Sequence, residues 1–423
     1  MSGAFPETSP STRPARSRSA VTFPTDEGAR PSTVPHRWAA PVGAVRPSDL
    51  PREQPVVERV LQRTDWPLVG VALALSLLGA LAIYSTTHMD TGAATAVKHL
   101  INLGLGLGLF AVISRLDVYR LRSLTPWVVL LGWAGLALVL VIGKEIYGAK
   151  SWIVIGGGFT IQPTEFMKIA LCLGLAAILS DRLRPKVAEP GSLQVVLAWT
   201  LVFLTLGLVM LQPDLGSGII IGLMGFGVVA LSGANRWWVL AALVGAVTVA
   251  TVAITSGLLA KHQMDRLTTF LHPEQDPSGT GYQVIQSKIA VGSGGLFGQG
   301  YLQGRQAQGG FLPVDESDFI FAVVAEEFGL VGGLLVLLLL VFVVLRALSI
   351  AQRTTDVFPR LVAVGIACWF AAQTTENVGM TMGMLPMTGV PLPFVSYGGS
   401  SMFAGWIALG LLNAMAIATR SDD

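Results

Sequence analysis

Asp318 stands where polar sequence ends and the apolar run Phe319-Ile-Phe-Ala-Val-Val begins. A carboxylate at a water–lipid boundary, beside a hydrophobic wall, is placed to act as a general base, because burial raises its affinity for a proton. Glu165 and Lys168 lie near the start of another apolar run. Three residues apart, they share one face of a helix and can neutralise each other. Glu326 and Glu327 fall two turns into the run that follows Asp318. An ionisable side chain within a span costs about 2.5–3.5 kcal/mol on insertion scales, so such residues face a bundle interior or a cavity. Adjacent helical positions point to different sides of the axis, so only one of the two glutamates is expected to share a cavity with Asp318.

These side chains belong to a chain of 423 residues, 52% hydrophobic and 13% charged. An average soluble domain is roughly 25% charged. Apolar runs of about twenty residues recur, each able to cross about 30 Å of hydrocarbon. The pattern predicts an all-α, polytopic membrane protein of ten spans: about 66–85, 100–114, 124–143, 162–180, 193–211, 212–232, 237–257, 319–345, 361–380 and 400–418. A short loop is expected between the third and fourth. Residues 1–64 hold ten of the 23 prolines and no apolar run; they read as a disordered tail ahead of a membrane domain over 65–420. No basic, aromatic-interleaved stretch points to nucleic acid. Cys172 and Cys368 lie inside apolar runs and read as small buried hydrophobes rather than a disulfide or metal pair.

The connection 258–318, between spans seven and eight, is polar, glycine-dense and charged. Connections of that length are functional or disordered, and Ile289, Leu296, Phe297 and Phe311 suggest one that folds back onto the bundle. With the tail inside, inner segments carry twenty Lys and Arg and outer ones eight. The positive-inside rule then makes both termini cytoplasmic and the 258–318 loop extracytoplasmic. Pro163 and Pro213 suit first helical turns, with Glu165 and Asp214 close behind. Such helix starts either help hold a phosphate group or carry the acids to offset the helix dipole. Pro386, Pro391 and Pro393 forbid a continuous helix over the apolar stretch 384–401, so a re-entrant or surface-lying loop is expected. Gly104, Gly106 and Gly108 suit close helix packing. To this point a transporter and an enzyme acting on a lipid-borne substrate both fit.

Six stretches carry more. Gly148-Ala-Lys-Ser-Trp-Ile153, Gln162-Pro-Thr-Glu165 with Lys168, Gln212-Pro-Asp-Leu-Gly216, the 281–300 stretch, Ser317-Asp-Phe-Ile-Phe321 with Glu326-Glu327, and Pro391-Leu-Pro-Phe-Val-Ser-Tyr-Gly-Gly399 occur in that order. Together they resemble the SEDS family (shape, elongation, division, sporulation), over residues 65 to 420. Gly281-Tyr-Gln, the stretch Gln286 to Gly295, and Thr388 resemble the elongation (RodA) branch; the division (FtsW) branch tends to carry a lysine at the last of these. The family often has His-Thr before its loop aspartate. Here Glu316-Ser317 keeps the hydroxyl and replaces the imidazole with a carboxylate.

The resemblance implies a peptidoglycan glycosyltransferase. It would polymerise lipid II at the outer face of a bacterial cytoplasmic membrane during elongation, beside a class B penicillin-binding protein that cross-links the strands. Asp318 would then be the base for an acceptor 4-hydroxyl. Lys150, Lys168, Lys288 and Arg305 would be candidates for the substrate phosphates, and Trp152 for a sugar or prenyl chain. Glu165 would orient Lys168 or join a divalent cation (Mg or Mn) on the diphosphate, and Glu326 would face the substrate cavity. The alternatives are a lipid II flippase, a division-type paralogue, or a scaffold that only activates the penicillin-binding partner. Transport favours two halves with matching interrupted helices, and the sequence has no such halves.

Overall fold

The computed structural model describes residues 64–146, 149–156, 159–181, 189–257, 261–276, 279–312 and 316–419. The expected tail, apart from Thr64, lies outside them, as do the basic residues Arg182, Arg184, Lys186 and Arg420.

Ten apolar helices coincide with the ten expected spans. They are α1 (Trp66–Thr87), α2 (Ala94–Ile113), α3 (Val118–Ile142), α4 (Pro163–Ser180), α5 (Ser192–Met210), α6 (Leu215–Leu231), α7 (Arg236–Thr255), α11 (Ile320–Arg353), α12 (Val357–Thr381) and α13 (Gly399–Thr419). Eight are long and apolar enough to cross a membrane unaided; α6 and the apolar part of α7 are shorter. The long connection adds α8 (Lys261–Leu271), α9 (Thr280–Ser293) and α10 (Arg305–Gln308). Side-chain caps start several helices, with Asp117 receiving Tyr119 N–H and Asp214 receiving Ser217 N–H. α4, α12 and α13 are buried over most of their length, whereas α3 mostly faces outward. Apolar residues all round a helix are what a central position, or lipid, demands.

Three features depart from the sequence reading. The loop expected after span three is a small antiparallel sheet of β1 (Lys144–Ile146), β2 (Ala149–Gly156) and β3 (Phe159–Ile161), with Ile153 opposite Ile161. Its β-branched alternation favours a strand, in too short a stretch to stand out among ten spans. Next, α11 is broken at Gly329, whose φ is +67°. The glycine-rich segment of the long connection enters the break: Leu330 and Val331 N–H donate to the carbonyls of Gly295 and Leu296, at 2.9 and 3.2 Å. Gln299 and Gly300 N–H donate to those of Glu326 and Glu327, at 2.9 and 3.1 Å. The connection thus folds back through its backbone. Leu296 and Phe297, expected to do this with their side chains, are 64% and 80% exposed.

The third departure concerns the glycines. Only Gly106 of the span-two trio packs closely, against the Trp406 ring, while Gly104 and Gly108 face open space. The closer approach is at Gly79 of α1, where an added Cβ would lie 2.3 Å from the Val395 carbonyl oxygen. As expected, residues 382–398 are non-helical; all but Met382, Met384 and Gly389 are buried or half-buried, and α1 presses directly on them. Gly79→Leu should therefore lower stability by about 1–3 kcal/mol, the usual range for overpacking. The check is the thermal unfolding midpoint of the detergent-solubilised protein, with Gly70→Leu, a position in open space, as the control that should not lower it.

Candidate functional site

Asp318 lies two residues before α11 and one wall of a small polar pocket is its own. Trp152 of β2, Gln162, Glu165 of α4, Asp214, Ser217 of α6, Gly389, Tyr397, Ser400 and Ser401 also line it. The cavity is about 80 Å³, well under the roughly 300 Å³ of an ordinary ligand pocket; a larger ligand would extend beyond it.

The Asp318 backbone is fixed from below. Asn377 of α12 donates through Nδ2 to the Asp318 carbonyl at 2.9 Å and to the Val390 carbonyl at 2.8 Å. The Asp318 carboxylate accepts the Ser317 hydroxyl through Oδ1 at 2.9 Å. Gly389, at φ +73°, brings the backbone so close that a Cβ there would sit 3.1 Å from Asp318 Oδ2. Withdrawal from water pushes the Asp318 carboxyl up to about 6; the Ser317 hydrogen bond and the Arg266 charge oppose this, and Glu316 adds a last, smaller push. Burial raises it as the sequence suggested, while the like-charge neighbour matters least.

The pair Glu165 and Lys168 forms as the spacing predicts, at 2.8 Å. Lys168 is fully buried, also donates to Gln373 Oε1 at 2.8 Å, and lies 4.9 Å from the Trp369 ring centre. It does not line the pocket. Glu165 does, and its second oxygen, Oε2, is buried without a partner among the described residues. Asp214 caps α6 through Ser217, at 3.0 Å to N–H and 2.8 Å to the hydroxyl, and also accepts Gln162 Nε2 at 3.1 Å. Pro163 opens α4 as expected; Pro213 falls outside α6, ahead of that cap.

Other sequence candidates are elsewhere. Lys150 donates to the Leu140 carbonyl at 2.7 Å, capping the end of α3. Lys288 and Arg305 are exposed on α9 and α10. Glu326 is buried and accepts the N–H groups of Gln306 and Ala307, at 2.8 and 3.1 Å, so it anchors α10. Glu327 accepts the Ser85 hydroxyl of α1. Neither lines the pocket with Asp318, because these faces of α11 turn toward α10 and α1. The sequence reading missed Asn377, Ser400 and Arg266. Ser400 accepts Gln162 N–H at 2.9 Å, and Arg266 of α8 donates to the Thr388 carbonyl at 3.3 Å. A buried amide within span nine was a legible signal; an arginine in a long polar connection was not.

Beside the pocket runs an apolar groove of about 770 Å³, lined by α3 and α4 with Ile153, Ile161, Pro163 and Ile407. Successive residues of a strand face opposite ways. In β2, Trp152 accordingly lines the polar pocket while Ile153 lines the groove; Ile161 at the end of β3 and Pro163 at the start of α4 also line the groove, with Gln162 between them on the pocket. One thin wall separates a polar site from a hydrocarbon one.

A family model described as a cell cycle protein, FtsW/RodA/SpoVE, matches residues 65–421. The chain belongs to that family. The peptidoglycan glycosyltransferase MrdB of Escherichia coli is 35% identical over 366 residues, covering 86% of this chain and 96% of the relative. A probable peptidoglycan glycosyltransferase FtsW of Coxiella burnetii is 37% identical over 368 residues, covering 84% and 96%. Among solved structures, a chain of a peptidoglycan synthase complex, described as coordinating polymerization and crosslinking, superposes with a TM-score of 0.70 at 33% identity. It covers 85% of this chain and 98% of its own length. Like other FtsW/RodA/SpoVE proteins, this is a multi-pass membrane protein. The matched region opens on Asp65, which takes Arg346 Nε at 2.7 Å and bonds Asn413 through its N–H at 2.9 Å, tying α1 to α11 and α13.

Removing the Asn377 amide leaves two buried carbonyls unpaired, at about 1–3 kcal/mol for each group. Asn377→Ala should lower the thermal midpoint and loosen Asp318 and 389–391 together, seen as faster hydrogen exchange in both segments with the ends of α5 unchanged.

Proposed function

We propose that this chain is a peptidoglycan glycosyltransferase that polymerises lipid II, with Asp318 as its general base. The observation that carries the reading is the shared wall between the acid-lined pocket and the apolar groove. A substrate with polar reacting groups on a long hydrocarbon anchor matches both sides at once, with the prenyl chain in the groove and the diphosphate and anomeric centre in the pocket.

The acceptor 4-hydroxyl gives its proton to the Asp318 carboxylate as its oxygen bonds to the donor's anomeric carbon. The bond from that carbon to the diphosphate oxygen breaks, and the electron pair leaves with the prenyl diphosphate. Asp318 serves this step because its affinity for a proton is raised to about 6, close to a working pH, where a general base is most effective. Trp152, partly buried on the pocket wall, offers an apolar face to a sugar ring. Among the described residues no three of His, Cys, Asp and Glu gather into a closed metal cage. The free Glu165 oxygen and the neighbouring Asp214 do fit a hydrated Mg²⁺ or Mn²⁺ held mainly by substrate; such a cation would neutralise the diphosphate.

The distribution of Lys and Arg supports both termini in the cytoplasm and the Asp318 connection outside, where a cross-linking penicillin-binding partner works. Thr388, whose hydroxyl donates to Glu376 at 2.9 Å, supports the elongation branch over the division branch.

Purified protein incubated with lipid II should yield glycan strands. Asp318→Asn should cut the rate by a factor of about 10²–10⁴, the usual worth of a positioned base, without loss of fold. Equal polymer from that variant would remove Asp318 from the role, and translocation of lipid II without polymer would favour the flippase. The rate should also depend on pH with a definite sign. Asp318 is a base only when ionised, so activity should fall as pH drops through about 6 and level off above it. An acid limb near 4, where an unperturbed carboxyl titrates, would contradict the desolvated base.

A further inference from the structure

The pocket is lined by acids, amides, hydroxyls, backbone and one indole; among the described residues no Lys, Arg or His lines it. Asp214 and Asp318 already gather negative charge there, with Glu165 paired to Lys168, yet glycosyl transfer sends another electron pair onto a diphosphate. Preorganised positive charge at that position is the usual means of lowering such a barrier. The four cations suggested by sequence do not supply it, because Lys168 is neutralised by Glu165 and none of the four is among the charges that act on Asp318.

Arg266 is placed differently. It lies half-buried on the face of α8 that also carries the buried Gln263 and Thr269, opposite the exposed Asp265 and Thr268. Its Nη1 donates to the Thr388 carbonyl at 3.3 Å. The next residue, Gly389, lines the pocket and abuts Asp318 Oδ2. The guanidinium is therefore one peptide unit from the pocket wall, near enough for its charge to act on Asp318. That hydrogen bond uses one of five N–H donors. A neutral carbonyl is a weak partner compared with a phosphate oxygen, and the planar fork suits two such oxygens together.

We propose that Arg266 contacts the leaving prenyl diphosphate, exchanging the Thr388 carbonyl for phosphate oxygens as the bond to the anomeric carbon breaks. This rests on the reading of Asp318 as base and of a prenyl diphosphate as leaving group. The arginine stays protonated throughout; the electron pair goes to the diphosphate oxygen and the proton to Asp318. Charged or titratable groups around Asp318 are Arg266 on α8, Glu316 beside it, Glu165 on α4, Asp214 before α6, Tyr397, and Glu376 on α12 behind Thr388. Arg266 is the one cation among them.

The test uses the full-length chain purified in detergent, with variants Arg266→Ala, Arg266→Lys and Asp318→Asn. Arg266→Ala should lower kcat on lipid II by a factor of about 10²–10³, as loss of a charge-stabilising donor does, with a smaller change in KM. Arg266→Lys should recover part of that loss. The acid limb should move to higher pH in Arg266→Ala, since removing the positive charge favours protonated Asp318. Farnesyl diphosphate, as a product-like probe, should bind Asp318→Asn at least as tightly as the unaltered chain, since a like charge is removed, and should bind Arg266→Ala at least tenfold more weakly. Unchanged farnesyl diphosphate binding by Arg266→Ala would overturn the proposal, as would equal losses in Ala and Lys variants with an unmoved acid limb. Full polymerisation by Asp318→Asn would overturn the base assignment instead, and the diphosphate measurement would still decide the role of Arg266.

Discussion

A backbone carbonyl at membrane depth that finds no donor costs several kcal/mol, and the proline-broken segment 382–398 presents a series of them. Side chains on neighbouring elements supply the missing donors. Gln373 Nε2 donates to the Pro391 carbonyl at 2.8 Å, and in return the segment's own Ser396 hydroxyl donates to the Ser317 carbonyl outside it. Asn377 spends both amide protons at once, one on Val390 and one on Asp318. The requirement to satisfy the backbone of a non-helical segment is therefore also what locates the Asp318 carboxylate. Asp318 does not hang from a loop tip; its peptide is held by the same amide that holds the pocket floor.

Similar logic governs the opposite wall. A strand alternates its side chains whatever they are, so a short sheet between α3 and α4 can turn Trp152 to water and Ile153 to lipid without any bulky partition. A helix there would spread the same residues around a cylinder and blur the boundary. For a substrate that is sugar and phosphate at one end and hydrocarbon at the other, the register of β2 and β3 sets where one environment gives way to the other. The broken helix α11 adds a second coupling, since the glycine-rich segment of the long connection is paired directly with the backbone freed at Gly329. The connection that ends in Asp318 is thereby stitched into the membrane bundle at two levels.

Much of this was legible beforehand, and the reasons for the failures are specific. Ten apolar periods gave ten helices, because the bilayer imposes a length on each. Pro386, Pro391 and Pro393 announced the non-helical segment, and the spacing of Glu165 and Lys168 announced their ion pair. Charge alone misled at Glu326 and Glu327. An acid buried in a span does face a protein interior, but that interior holds the N–H groups of α10 and the Ser85 hydroxyl, not the pocket. Cations were the hardest to place. A lysine's reach and an arginine's partner depend on tertiary neighbours, and the Thr388 carbonyl that receives Arg266 lies over a hundred residues further along the chain.

Glu316, a like charge two residues from the proposed base, is expected from the sequence to raise its proton affinity. In the fold Glu316 exerts the smallest of the influences on Asp318, below burial, the Ser317 hydroxyl and Arg266. Two of these oppose the first, so the carboxyl is raised only to about 6 rather than far enough to stay protonated at neutral pH. A deeper burial without Ser317 and Arg266 would give a stronger base that is seldom ionised; full exposure would give an ionised group too weak to take an alcohol's proton. The hydroxyl at 317 bears on this balance more than the identity of residue 316 does. A glutamate at 316 is therefore compatible with the base proposed at Asp318.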